Sequence, residues 1–76
     1  MIVELRRRVL AEHLARRSMS QNAFAMKAGI SSGYIVQLIQ GTRNPSPRVR
    51  ERLSKATGMD FDGLFKITGW EEELNA

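Results

Sequence analysis

The chain is expected to be all-α: a compact bundle of about five short helices followed by a short C-terminal extension. Three observations predict this. Apolar residues recur at spacings of three and four, the period of a helix with one buried face. The later apolar runs are each preceded by a capping residue, Ser20, Ser31, Ser46 or Asp60, whose side-chain oxygen can accept from an orphan N–H of the first turn. Three runs end at Gly29, Gly41 and Gly58, and glycine takes the left-handed backbone that closes a helix without steric cost.

Seventy-six residues admit one domain with one small core, and such a core is marginal unless its helices pack well or chains pair. A hydrophobic share of 42% is that of a folded protein. Cysteine is absent, so neither a disulfide framework nor a thiolate metal site is available. Glu4 and Arg6-Arg7-Arg8 break any apolar run at the start, and no stretch approaches the length of a membrane span. A cytoplasmic location is the expectation. The net charge of +4 conceals an asymmetry: residues 1–55 hold eleven Lys or Arg against three Glu, whereas residues 56–76 hold Lys66 against five Asp or Glu. A basic body attracts phosphates by releasing their counterions. The plainer reading is that scattered arginines keep a small protein soluble.

Taken in order, the first helix is expected over Ile2 to Arg17. Leu10 and Leu14 lie four apart with Val3 on the same side, Leu5 and Val9 form an adjacent row, and Arg7 interrupts the pattern. His13 has no second His, Cys or Asp at ligand spacing, so it reads as a surface or boundary residue and not as a metal ligand or base. Arg6-Arg7-Arg8 and Arg16-Arg17 read equally as phosphate contacts and as a solvated face. The second helix opens at Gln21 behind Ser20, although Ser18 with Gln21 also has capping-box spacing, which would move the start back. In it Phe24 and Ala28 face the core, and Ala25 sits where the next helix crosses.

The third helix, Ser32 to Gln40, has two unlike faces. Stepping about 100° per residue, Tyr34, Ile35, Leu38 and Ile39 fall on one arc, and Ser32, Gly33, Val36, Gln37 and Gln40 on the other. The second arc carries no charge. A solvated face normally carries Lys and Glu, so this one is shaped to meet a partner. Ser46-Pro47 starts the fourth helix, with Ser as cap and Pro at the first helical position; Val49, Leu53 and Ala56 give it one buried stripe, while Arg48, Arg50, Arg52 and Lys55 read as a soluble face. Asp60 caps a short fifth helix in which Phe61, Leu64 and Phe65 close the bottom of the core. Thr68-Gly69-Trp70-Glu71 has capping-box spacing and predicts a final helical turn. Ile67, Trp70 and Leu74 are too apolar for a free tail: they fold back on the core or meet a second chain.

The stretch from Gln21 to Gln40 resembles the helix-turn-helix of the phage-repressor family, the Cro and lambda-repressor or XRE type. The residues that carry the likeness are Gln21, Ala25, Gly29, Ile30, Ile35 and Leu38. It extends through Gly41-Thr42-Arg43-Asn44-Pro45-Ser46-Pro47 to Leu64-Phe65, and so covers roughly Leu10 to Lys66. The resemblance implies a lambda-repressor-like DNA-binding domain over residues 1–66, with residues 67–76 as an extension for dimerisation or core capping. It implies a sequence-specific, double-stranded-DNA-binding transcriptional regulator, a repressor, that lays the third helix in the major groove. Positions matching Ser32, Gly33 and Gln37 then reach bases; residue chemistry adds Val36, which can pack on a thymine methyl, and Gln40 on the same arc. Gln21, Ser31, Tyr34, Arg43 and Asn44 are the candidates for phosphate contact. Phe65, Ile67, Trp70 and Leu74 are the candidates for dimer contacts. The uncharged arc lacks the Arg or Lys that most often reads guanine, so the half-site core is expected to favour A·T pairs. Gly33 inside a helix costs about 0.5–1 kcal/mol against Ala, either tolerated in the first turn or kept for close approach to DNA. Arg50 and Thr57 stand where the family usually has apolar residues, which thins the core there.

Other readings keep DNA but change the task, to an accessory factor for recombination or conjugation, or to an antitoxin. A third abandons DNA for a protein-interaction module, against which the basic body and uncharged arc argue. An enzyme is not expected, because no metal-ligand cluster, glycine-rich phosphate loop or nucleophile with a base is present in the sequence. Nor is a cofactor, a small-molecule ligand or a membrane partner expected; double-stranded DNA and a second copy of the chain are.

Overall fold

A computed structural model describes residues 1–71. In order these form β1 (Ile2–Leu5), α1 (Arg7–Arg16), α2 (Gln21–Ala28), α3 (Ser32–Gln40), α4 (Pro47–Thr57), α5 (Phe61–Leu64) and β2 (Phe65–Thr68). The expected caps close the helices. Ser20, Ser31 and Ser46 accept from Ala23, Tyr34 and Val49 N–H at 3.0, 3.1 and 3.4 Å, and Asp60 accepts from Gly63 N–H at 2.9 Å. Ser20, not Ser18, therefore starts α2. Gly29, Gly41 and Gly58 end α2, α3 and α4 with positive φ.

The fold is not strictly all-α. In place of an unbroken helix from Ile2, the chain makes strand β1 and begins α1 only at Arg7. β1 pairs antiparallel with β2, with Ile2 opposite Thr68, Val3 opposite Ile67, Glu4 opposite Lys66 and Leu5 opposite Phe65. Ile2 and Val3 are β-branched and suit a strand, but a strand needs a partner, and this one lies some sixty residues along the chain. Leu5 and Phe65 are buried on the core side; on the opposite face Lys66 Nζ lies 3.6 Å from Glu4 Oε2. Arg6 bolts the ribbon to α5. Its backbone N–H donates to Leu64 O at 2.7 Å, and its Nε–H is shared between the carbonyls of Asp62 and Phe65, both at 3.1 Å. β2 also runs across the expected division after residue 66, so Lys66 and Ile67 belong to one strand.

The core gathers Leu10 and Leu14 of α1, Phe24, Ala25 and Ala28 of α2, Ile35 and Leu38 of α3, Val49 and Leu53 of α4, and Leu64 with Phe65. Phe65 is 1% exposed. It leaves the set of candidate dimer contacts, because its ring is spent on its own core. Phe61 remains exposed, its ring centroid 5.4 Å from that of Phe65. Thr57, in a place expected to be apolar, closes α4 by polar means: its hydroxyl donates to Leu53 O at 2.9 Å and accepts from Met59 N–H at 3.2 Å. Leu74 and most of the expected final turn lie outside the described residues. No helix among the described residues is long and apolar enough to cross a membrane.

His13 corrects the sequence reading. It is 4% exposed, not a surface residue, because it lies three residues after Leu10 on the same inward stripe. Its ring meets that of Phe24 in a T-shaped contact, and its Nδ1 lies 3.1 Å from Arg17 Nη1. Arginine can only donate, so Nδ1 accepts and the ring proton sits on Nε2, which finds no partner among the described residues. Burial, reinforced by Arg17 and Lys27, lowers the His13 pKa below its ordinary 6.5. The unfolded chain thus takes up this proton near its ordinary pKa and the folded chain only at lower pH. Stability that is complete above pH 6.5 should decline as pH falls through that value toward the folded pKa. Urea unfolding at a series of pH values should show this decline, and His13→Leu should flatten it; an unchanged slope in the variant would remove His13 as its cause.

Candidate nucleic-acid interface

α3 turns Ile35 and Leu38 into the core, at 0% and 1% exposure. That places its uncharged arc outward: Ser32, Gly33, Gln37 and Gln40 are exposed and Val36 is half-buried. The residues expected to read bases therefore share one accessible face. A Cβ built on Gly33 would meet nothing within 4 Å, so no packing within the chain demands a glycine there.

Around this face the expected phosphate-contacting residues are arranged as follows. Gln21 is the exposed first residue of α2. Behind it the Ser20 cap occupies one first-turn N–H, and the helix dipole favours an anion at this end. Ser31 is exposed while its hydroxyl caps α3. Arg43 and Asn44 are exposed in the loop after α3. Tyr34, on the apolar arc, is half-buried, and its hydroxyl oxygen accepts from Ser46 N–H at 3.2 Å. That bond ties α3 to the cap of α4 and leaves the hydroxyl hydrogen available to an outside acceptor.

One contact joins the two sets of residues. The Arg43 guanidinium lies over the Tyr34 ring, 4.0 Å from its centroid, and its Nη1 donates to Gln37 Oε1 at 3.3 Å. The cation–π contact holds the arginine over α3. Since arginine is a pure donor, the Gln37 amide is oriented with its oxygen toward Arg43 and its NH₂ free to face a partner. The sequence places Arg43 beside the helix but does not show this brace.

Two further arginines were read from sequence as soluble or phosphate-binding and are anchors of α3 instead. Arg7 Nη1 donates to Gln40 O at 2.8 Å and to Ile39 O at 3.3 Å. α3 has no basic residue of its own in its last turn, so Arg7 supplies from α1 the positive charge that the helix C-terminus favours. Arg52 Nη1 donates to Gly29 O, holding the turn before α3 from the side of α4. A Cβ at Gly29 would lie 3.0 Å from that same Nη1, a contact the flexible arginine can relieve, so it is the backbone, with φ at +72°, that needs glycine in this turn. The missing C-terminal cation of α3 was the only local hint; which arginine supplied it depended on helix packing.

Arg6, Arg7, Arg8, Arg43 and Asn44 line an open cleft between the start of α1, the end of α3 and β1. Positive charge is thus concentrated beside the uncharged arc. Among the described residues, no group of His, Cys, Asp or Glu is placed to hold a metal ion.

The model of the family described as Helix-turn-helix matches residues 10–64, from Leu10 within α1 through α5. No curated protein and no solved structure matches the chain.

Proposed function

The chain belongs to the helix-turn-helix family of the Cro and lambda-repressor type, DNA-binding transcription regulators, and on that footing we propose that it is a sequence-specific repressor reading the major groove with α3. The observation that carries this reading is the outward, uncharged arc of α3, braced by Arg43 and bordered by a basic cleft. Ser32, Gly33, Val36, Gln37 and Gln40 supply base contacts. Gln21, Ser31, Tyr34, Arg43 and Asn44 hold phosphates on either side. With its oxygen steadied by Arg43 and a second lone pair still open, the Gln37 amide is set to pair with adenine, accepting from N6 and donating to N7. A dimer on two related half-sites about one helical turn apart follows from a single small reading head, with Ile67, Trp70 and Leu74 in the pairing segment.

Selection from random duplex DNA, with sedimentation of the free protein, tests this reading. An A·T-rich half-site core in paired, similarly spaced copies is expected; guanine-dominated cores contacted by α3, or no enrichment at all, would overturn it. Gly33→Ala supplies a second test. It should stabilise the fold by about 0.5–1 kcal/mol, since alanine is the better helix former and the space is open. The same methyl should weaken operator binding by keeping α3 from the groove floor. Thermal melts and titrations of one variant read both effects, and a gain in stability with affinity unchanged would make Gly33 a tolerated residue only.

A further inference from the structure

This inference rests on the base-reading role given to α3 above and concerns what holds the far end of that helix in shape. A helix leaves its last four carbonyls without partners inside the helix, here those of Gln37, Leu38, Ile39 and Gln40. The chain beyond the helix satisfies the first two. After the left-handed turn at Gly41, the Gly41 N–H donates to Leu38 O at 3.2 Å and the Thr42 N–H to Gln37 O at 3.0 Å, the pair of bonds that closes a helix on a glycine. The Ile39 and Gln40 carbonyls lie outside that motif. Both accept from Arg7 Nη1, at 3.3 and 2.8 Å, across 32 and 33 residues of chain.

Gly41 makes room for this arginine. A Cβ there would lie 2.7 Å from Nη1, 2.9 Å from Cζ and 3.2 Å from Nε, so the guanidinium rests against the side that glycine leaves bare. It thereby holds the joint between α3 and the loop. Gln40 lies on one side of that joint; on the other is Arg43, whose guanidinium reaches back to Gln37 Oε1. The opposite end of α3 has its own support, since the Ser31 hydroxyl caps the first turn without help from α1. We propose that Arg7 is a positioning residue for DNA recognition: it fixes the last turn of α3 so that Gln40 meets its base pair at one edge of the half-site. The neighbouring arginines are engaged elsewhere. Arg6 Nε donates to the Asp62 and Phe65 carbonyls, and Arg8 Nε to Glu12 Oε1 at 3.1 Å.

Arg7→Met tests this, because methionine keeps an unbranched stem and a good helix propensity but has no donor. The free variant should keep the wild-type helix content. Its Gly41 and Thr42 amide protons should exchange with solvent about tenfold faster, since the turn they close has lost its outside support. Selection from random duplexes with Gln40→Ala identifies the base pair that Gln40 reads. Arg7→Met should lose preference at that same pair by about fivefold or more and keep it at the pairs read from Ser32 to Gln37. Val49→Ala, a packing loss in α4, should lower only the folded fraction and keep the wild-type preference at every pair. Unchanged amide exchange or unchanged preference in Arg7→Met, no pair lost in Gln40→Ala, or the same loss in Val49→Ala would each overturn the proposal. So would affinity falling alike on all sequences with a salt slope lower by about one per subunit, the mark of a phosphate contact. A wild-type protein that enriches no duplex would instead sink the regulator reading itself and take this role of Arg7 with it.

Discussion

Phe24→Ala should leave the chain largely unfolded at room temperature. Phe24 is fully buried at 0% exposure, shares the α2 core face with Ala28, and makes a T-shaped ring contact with His13. Removing a buried phenylalanine ring typically costs about 3–5 kcal/mol, as lost transfer energy plus an unfilled cavity. A single core in a chain of this size supplies only about 3–5 kcal/mol in total. The two quantities are alike, so one substitution consumes the margin. Far-ultraviolet circular dichroism checks this directly: the helical signal should fall toward that of a coil, and specific DNA binding should vanish with it. Phe24→Leu, which refills most of the volume, should retain the fold with a lowered melting temperature. A Phe24→Ala protein with wild-type ellipticity and melting would mean that the α2–α3 pair is held chiefly by its polar anchors, Arg52 on Gly29 and Arg7 on Gln40, and not by its ring.

Gln37→Ala and Arg43→Ala should weaken operator binding in distinguishable ways. A well-made bidentate side-chain contact to a base is worth about 1–3 kcal/mol of discrimination, or about 5- to 150-fold in affinity. Losing Gln37 should therefore remove preference at one position of each half-site while the salt dependence of binding stays the same. Losing Arg43 removes a phosphate cation, so affinity should fall for all sequences and the salt slope should drop by about one per subunit. The brace between them adds a third expectation. Because Arg43 orients the Gln37 amide, its loss should also blur the Gln37 position, and the double variant should fall short of the sum of the single ones. Titrations against the selected operator and a scrambled duplex at several salt concentrations separate these outcomes. Equal losses on both duplexes for Gln37→Ala would take α3 out of base recognition.

The placement of these two side chains shows how far the amino-acid order reaches. The capping residues Ser20, Ser31, Ser46 and Asp60 act within three residues of themselves, and the turn glycines act on their own φ, so the boundaries of α2, α3 and α4 and the start of α5 were legible, whereas Phe65, expected in the fifth helix, begins β2. The arc of α3 was legible for the same reason, since one helical turn brings Val36, Gln37 and Gln40 onto a common side without reference to the rest of the chain. Phe65 was readable only as a large apolar residue near the end of the core; whether it faced its own chain or another depended on β1.

The sequence alone determined the local features: where α2, α3 and α4 start and stop, which stripe of each is apolar, and that the third helix carries a neutral face on a basic body. Only the tertiary structure decided what depends on distant partners. It made Ile2–Leu5 a strand by bringing Phe65–Thr68 beside it, buried His13 against Phe24, and turned Arg6, Arg7 and Arg52 from surface charges into bolts on backbone carbonyls. The physical reason is range. A cap or a helical stripe is satisfied by neighbours a few residues away, whereas a strand edge or a long guanidinium side chain takes whichever acceptor the packed helices bring within reach.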